Sequence, residues 1–84
     1  MKILITGVAG FIGFNCASYF LKKKIQVVGI DSYESYYSVK LKEKRIKTLK
    51  KFKKFKFYKI DISNKNQLNK IAPLYFDYVY HFAG

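Results

Sequence analysis

Hydrophobic residues fall into two kinds of segment that alternate along the chain. Residues 2–6, 26–30, 55–60 and 78–82 are short runs rich in β-branched, Leu and aromatic side chains, and each predicts a strand. The segments between them carry a helical period. In residues 11–23, Ile12, Cys16 and Phe20 fall four apart on one face, with Asn15, Ser18 and Lys22 on the other. Gly13 and Ala17 leave a shallow groove through which that helix can approach a sheet. Residues 39–51 predict a second helix, with a narrow stripe of Leu41, Ile46, Leu49 and Phe52 on a surface that is otherwise lysine. A short third helix, capped by Ser63 or Asn64, runs to Ala72 and stops before Pro73.

Strand and helix in strict alternation give an α/β chain with a doubly wound parallel sheet and right-handed crossovers. The expected strand order is 3-2-1-4. Lys56 and Lys59 interrupt the third strand and suit a sheet edge, whereas the almost wholly apolar fourth strand suits a central position. No internal repeat, linker or low-complexity tail interrupts the pattern.

The first strand ends in Thr6, and three glycines follow at even spacing, Gly7, Gly10 and Gly13, directly before the first helix. Strand, glycine turn and helix together form a layout in which a phosphate can approach the backbone and meet the positive end of a helix. Gly7 permits the tight turn, Gly10 clears the approach of a pyrophosphate, and Gly13 allows close packing. The spacing is one residue longer between the first two glycines than in the Gly-x-Gly-x-x-Gly fingerprint.

Asp31 follows the second strand, where an acid can accept two hydroxyl protons from a ribose and repel a 2′-phosphate. NAD is therefore expected over NADP. The same acid can instead form a turn or cap a helix, and Lys40, Lys42 and Arg45 nearby soften the repulsion. Asp61 ends the third strand and can accept the amino hydrogen of an adenine while Ile62 packs on its ring; it can equally lead into a helix cap. His81 is expected as a hydrogen-bonded core histidine. Tyr36 and Tyr37 offer rings and hydroxyls in a loop.

Composition adds limits. Eighty-four residues make one small domain at most. The single cysteine, Cys16, excludes an internal disulfide and reads as packing, and one histidine excludes a His-cluster metal site. A reducing, cytoplasmic setting fits. The formal net charge is +12, and 11 of the 17 cations lie between Lys40 and Lys59. Such a block can bind nucleic acid or an anionic membrane, or it can be a solvated helix face in a chain drawn to Lys, Ile, Asn, Phe and Tyr throughout. The solvated face is the expectation, with no nucleic-acid or membrane partner. The uncharged stretch 3–21 nearly equals a membrane span in length, but three glycines, Thr6, Asn15 and Ser18 argue against one.

Thr6-Gly7-Val8-Ala9-Gly10-Phe11-Ile12-Gly13, Asp31, Asp61-Ile62 and His81-Phe82-Ala83-Gly84 together resemble the opening of an extended short-chain dehydrogenase/reductase. More narrowly they resemble the NAD-dependent epimerase/dehydratase family acting on nucleotide sugars. Tyr36-Tyr37, Leu41-Lys42, Arg45-Ile46 and Leu49 are most similar to the UDP-glucuronate 4-epimerase branch. The resemblance implies a Rossmann-type fold with NAD as cofactor. Pyrophosphate contacts are implied at Gly7, Gly10 and Gly13, with the backbones of Phe11 and Ile12 alongside. Ribose contact is implied at Asp31 and Ser32, and adenine contact at Asp61 and Ile62, while Phe82, Ala83 and Gly84 would line the path toward the nicotinamide.

Ser32 replaces an amide common in the family, and Ala83-Gly84 stands where Ala-Ala is usual. The reaction implied is hydride transfer from a nucleotide sugar to NAD and back through a keto sugar, in an enzyme that is a homodimer. The family's catalytic Tyr-x-x-x-Lys is expected beyond these residues, because Tyr36 to Lys40 fits the count but lies in the loop after the second strand. The chain is thus expected to be the front portion of such an enzyme, inactive alone and with an unprotected apolar edge at its fourth strand. Two other classes fit parts of the pattern: a non-catalytic Rossmann module that senses NAD, and a polyanion binder using Lys40 to Lys59.

Overall fold

The computed structural model describes residues 1–33 and 39–83. Tyr36, Tyr37 and Gly84 lie outside the described residues. Four strands form one parallel sheet: β1 (Lys2–Thr6), β2 (Gln26–Asp31), β3 (Phe55–Lys59) and β4 (Tyr78–His81), in the order β3-β2-β1-β4. Three helices connect them: α1 (Phe11–Lys22), α2 (Val39–Leu49) and α3 (Lys65–Leu68). The order and the alternation are those expected of a Rossmann-type sheet.

β1 and β2 are buried almost throughout because each has a neighbour on both sides. Ile3, Ile5 and Val27 face a core closed by Ala17 and Leu21 of α1 and by Ile46 and Leu49 of α2. Leu4, Val28 and Ile30 face the opposite layer, where Ile60 and Ile71 cover them. Gly29 is the one β2 residue without a side chain. A Cβ there would lie 2.7 Å from Val8 Cγ1 and 3.0 Å from Phe55 Cε1, so its absence lets Val8 pack over the sheet.

β4 is tied to β1 before its first residue. Asp77 Oδ2 accepts from Lys2 N at 2.7 Å, and Asp77 N donates to the Lys2 carbonyl at 2.8 Å. Within this sheet β4 is an outer strand rather than the central one its apolar character suggests, and it forms the exposed apolar edge that the order 3-2-1-4 implies, with Tyr78 and Val79 exposed. The lysine-interrupted β3 is the other edge, as its charge pattern suggests.

The contact face of α1 differs from the one its large residues suggest. Gly13, Ala17 and Leu21 are buried, while Phe14, Cys16 and Phe20 only flank the core. Ile12 is 64 % exposed. Small residues let the helix axis approach the sheet, so the groove wins over the bulky face. In α2 the buried positions are Lys42, Ile46 and Leu49, whereas Leu41 faces outward. Asn64 rather than Ser63 caps α3, accepting from the amides of Asn66 and Gln67. Burial pushes the Cys16 thiol above its usual range, which fits a packing role.

Candidate functional site

The glycine turn is built where β1 leaves the sheet. Gly7 has φ +68°, a left-handed conformation that L side chains rarely adopt, and a Cβ there would also lie 2.8 Å from Ala83 N. Gly10 N donates to the Gly7 carbonyl at 3.0 Å, and Phe14 N donates to the Gly10 carbonyl at 2.9 Å, which starts α1. Gly13 packs on the turn itself: a Cβ on it would sit 2.3 Å from the Gly7 carbonyl oxygen. Gly10 serves α1 as N-cap without offering a capping side chain, and the first turn holds no acid. The positive end of the helix is thus left for a partner of opposite charge.

β2 and α2 hold this turn from behind. Val8 N donates to the Ile30 carbonyl at 3.2 Å. Asp31 is 6 % exposed; its Oδ2 accepts from Ala9 N at 3.0 Å and its Oδ1 from Tyr33 N at 2.7 Å. Lys42 Nζ lies 3.6 Å from Asp31 Oδ1, so α2 supplies the counter-charge for a carboxylate withdrawn from water. From the next turn of α2, Arg45 Nη1 donates to the Ala9 carbonyl at 3.0 Å, and its guanidinium lies over the Phe11 ring at 5.9 Å. Asp31 therefore does serve as a local turn acceptor, and the same carboxylate lines the cavity in front of it.

The far wall is fastened through one hydroxyl. Thr6 Oγ1 accepts from Phe82 N at 3.0 Å and from Ala83 N at 3.3 Å. The same oxygen lies 2.7 Å from His81 Nδ1, a hydrogen bond whose direction follows the imidazole tautomer. His81 is hydrogen-bonded as expected but exposed rather than in the core, because β4 is an outer strand. Thr6→Val keeps the shape and removes the hydroxyl, stranding Ala83 N and His81 Nδ1. It is expected to lower the unfolding free energy by about 1–2 kcal/mol. Thr6→Ser should recover most of the loss in the same denaturation experiment.

Asp61 follows β3. Its Oδ1 accepts from Ser63 N at 2.9 Å and Ser63 Oγ at 2.7 Å, and these bonds hold its carboxyl below the usual range. One carboxylate oxygen is thus engaged in a turn leading toward α3. Asp61 N donates to Gln67 Oε1 at 2.6 Å, so the side chain of α3 fixes the backbone at the end of β3.

All these parts converge at the carboxyl ends of the strands, in two adjoining cavities. The first, of about 240 Å³, is lined by Gly7, Gly10, Asp31, Ser32, Asp61 and Ile62, with Phe82 and Ala83 on the β4 side. The second, of about 580 Å³, shares Gly7, Gly10 and Phe82 and adds Phe11, Ile12 and Gly13. Every expected site residue among the described residues lines one of the two. Phe11 is 70 % exposed and stands in the second cavity's wall, as does Ile12, which explains why neither joins the core.

Sequence reasoning did not place Lys42 and Arg45 in the walls, although both line the second cavity. Their spacing of three from each other on a helix, after a strand ending in an acid, was the available signal. A second Tyr-x-x-x-Lys count runs from Tyr19 in the last turns of α1 to its C-cap, Lys23. There Lys23 Nζ lies over the Tyr19 ring at 4.9 Å, near the end of the helix remote from the glycines. Among the described residues no group of three His, Cys, Asp or Glu could hold a metal ion, and no helix is long and apolar enough to cross a membrane.

A family model described as GDP-mannose 4,6 dehydratase matches residues 4–84. The chain belongs to this family of NAD-dependent epimerases and dehydratases. Among family members, a UDP-glucuronate 4-epimerase from Thermodesulfobacterium geofontis is 44 % identical over 82 residues, which cover 96 % of this chain and 25 % of that protein.

The UDP-glucuronic acid 4-epimerase of Bacillus cereus, solved in complex with UDP-glucuronic acid and NAD, superposes with a TM-score of 0.86. It is 38 % identical and matches 100 % of this chain and 26 % of its own. A more distant family member, the dTDP-glucose 4,6-dehydratase of Bacillus anthracis solved in complex with NAD, gives a TM-score of 0.80 at 26 % identity. It matches 100 % of this chain and 27 % of its own. The matched part amounts to between 9 % and 25 % of the length of the curated relatives, and to 26 % of the Bacillus cereus epimerase. Its likeness is to the amino-terminal, NAD-binding region of the UDP-glucuronate 4-epimerases.

Proposed function

We propose that the two adjoining cavities receive NAD, and that the chain is the amino-terminal cofactor-binding part of a nucleotide-sugar epimerase of the UDP-glucuronate 4-epimerase kind. One observation carries this most directly. Of the three glycines, Gly7 and Gly13 are walled in by backbone, but a Cβ on Gly10 would meet only the Gly7 carbonyl oxygen, at 3.3 Å. Gly10 also has an ordinary extended backbone, φ −73° and ψ 167°. Gly10 is thus the least enclosed of the three glycines, and a diphosphate at the open amino end of α1 fits the space in front of it.

In this reading the amides of the first turn of α1 bind the diphosphate. Asp31 would accept from the adenosine ribose with Ser32 next to it, and Asp61 and Ile62 would meet the adenine. Phe11 and Ile12 would cover the diphosphate, while Phe82, Ala83 and Gly84 would line the path toward the nicotinamide. NAD supplies a hydride acceptor and donor. The chain's own residues hold it and shield it from water on the sheet side. In the complete enzyme, which we infer to be a cytoplasmic homodimer, the nucleotide sugar and the catalytic Tyr-x-x-x-Lys belong to other parts of the protein. The lone, packed Cys16 suits a reducing compartment.

Gly10→Ala tests the reading. The substitution keeps an allowed backbone conformation but places its methyl 3.3 Å from the Gly7 carbonyl oxygen, and it should lower folding stability by about 1–2 kcal/mol. NAD affinity, measured by titration calorimetry on the full-length protein, should fall at least about tenfold. A folded Gly10→Ala protein with wild-type NAD affinity would remove the diphosphate from this place.

A further inference from the structure

We propose that Arg45 is a positioning residue for the glycine turn: it holds the Ala9–Gly10 peptide in the orientation that starts α1 toward the cavity. What the turn receives rests on the NAD reading above, but the hold itself is a property of the chain without ligand.

The peptide between Ala9 and Gly10 has one acceptor and one donor, and both are engaged from opposite sides. Its N–H, on Gly10, donates to the Gly7 carbonyl at 3.0 Å, and its C=O, on Ala9, accepts from Arg45 Nη1 at 3.0 Å. The preceding N–H, on Ala9, is fixed by Asp31 Oδ2 at 3.0 Å. Ala9 is thus gripped by side chains 22 and 36 residues away in sequence. Remove Arg45 and the Ala9 carbonyl loses this partner, which leaves the Gly10 N–H bond to Gly7 to resist rotation of the peptide plane by itself.

Rotation there is cheap on steric grounds, since Gly10 presents no Cβ. It would carry the Gly10 amide away from Gly7 and disturb the N-cap of α1, whose Gly10 carbonyl accepts from Phe14 N. The free amides of the first helical turn would then lose their common direction. Arginine suits the task better than lysine. Its planar guanidinium lies over the exposed Phe11 ring at 5.9 Å, so the ring restrains the plane from which the bond to Ala9 is made.

Three variants of the full-length protein test this: Arg45→Met, Arg45→Gln and Arg45→Lys. Amide hydrogen exchange at Gly10 is followed by NMR without ligand, and NAD and adenosine are titrated separately. In Arg45→Met, Gly10 should exchange about tenfold faster, and NAD should bind about tenfold more weakly. Adenosine, which lacks the diphosphate, should bind as to the wild type. Glutamine can donate to the Ala9 carbonyl without a charge and should restore most of both quantities. Lysine keeps the charge without the plane and should stay close to Arg45→Met.

Unchanged Gly10 exchange in Arg45→Met overturns the proposal. Full retention of exchange and affinity in Arg45→Lys also overturns it, because charge alone would then suffice. If Arg45→Met does not fold, Arg45→Lys against Arg45→Gln decides the same point. A wild-type protein that binds no NAD yet shows the exchange difference would sink the cofactor reading and leave the positioning role standing.

Discussion

Gly13→Ala is expected to lower the unfolding free energy of the full-length protein by about 3 kcal/mol or more. Alanine would ordinarily favour a helix over glycine by about 1 kcal/mol, so the sign of the effect is itself diagnostic. The added methyl would sit 2.3 Å from the Gly7 carbonyl oxygen, 2.9 Å from the Gly7 carbonyl carbon and 3.0 Å from Val8 Cα. All three are backbone atoms of a turn already fastened through Val8 N and Gly10 N, so none can swing aside. The helix must lift away or the turn must open, and in either case NAD affinity should be lost with stability. Chemical denaturation decides it: a variant within about 1 kcal/mol of wild type would mean that α1 can slide on the turn. The contrast with Gly10→Ala is the point of the experiment, since Gly13 is enclosed by the backbone of the turn and Gly10 opens on the space in front of it.

Asp31→Ala should cost about 3 kcal/mol of stability, because it deprives the amides of Ala9 and Tyr33 of their acceptor and leaves Lys42, 8 % exposed, without its carboxylate. Its effect on the cofactor is expected to have two parts. Loosening of the Ala9 amide disturbs the diphosphate cradle and weakens NAD and NADP alike. Loss of the ribose acceptor weakens NAD further, by about tenfold, while loss of the negative charge favours the 2′-phosphate of NADP. The ratio of the two dissociation constants should therefore shift toward NADP. Equal proportional losses would leave Asp31 as a brace for the turn and take away its ribose role.

The order of elements was readable because each strand is a short apolar run and each helix carries its own period. Lys56 and Lys59 even marked β3 as an edge. The site was readable for a related reason, since glycines and acids at strand ends are chemical signals that survive without knowledge of packing. What could not be read was which side of each helix wins. The Gly13–Ala17 groove was legible as the approach to the sheet, but Ile12, Cys16 and Phe20 also read as one apolar face, and of these Ile12 stands in a cavity wall while Cys16 and Phe20 only flank the core. Leu41 and Lys42 exchange their expected places because Asp31 offers a buried partner for an ammonium and nothing comparable for a leucine. Such choices depend on residues distant in sequence. Thr6, Arg45 and Gln67 each act on backbone atoms of another element, and no local period announces that.

The staples that bind β4 to β1, Lys2 with Asp77 and Thr6 with His81, each join residues 75 apart. Closing so long a loop is slow and entropically costly compared with the pairing of β1 and β2. On the ribosome, therefore, the glycine turn, α1 and the first three strands can assemble while the side of β1 facing β4 stays open. Until residues 77–83 have emerged, Gly7 lacks the Phe82–Ala83 backbone behind it and the first cavity lacks a wall. Cofactor capture during synthesis must wait at least for β4, so a stall before that point should yield a nascent chain that is partly folded and empty.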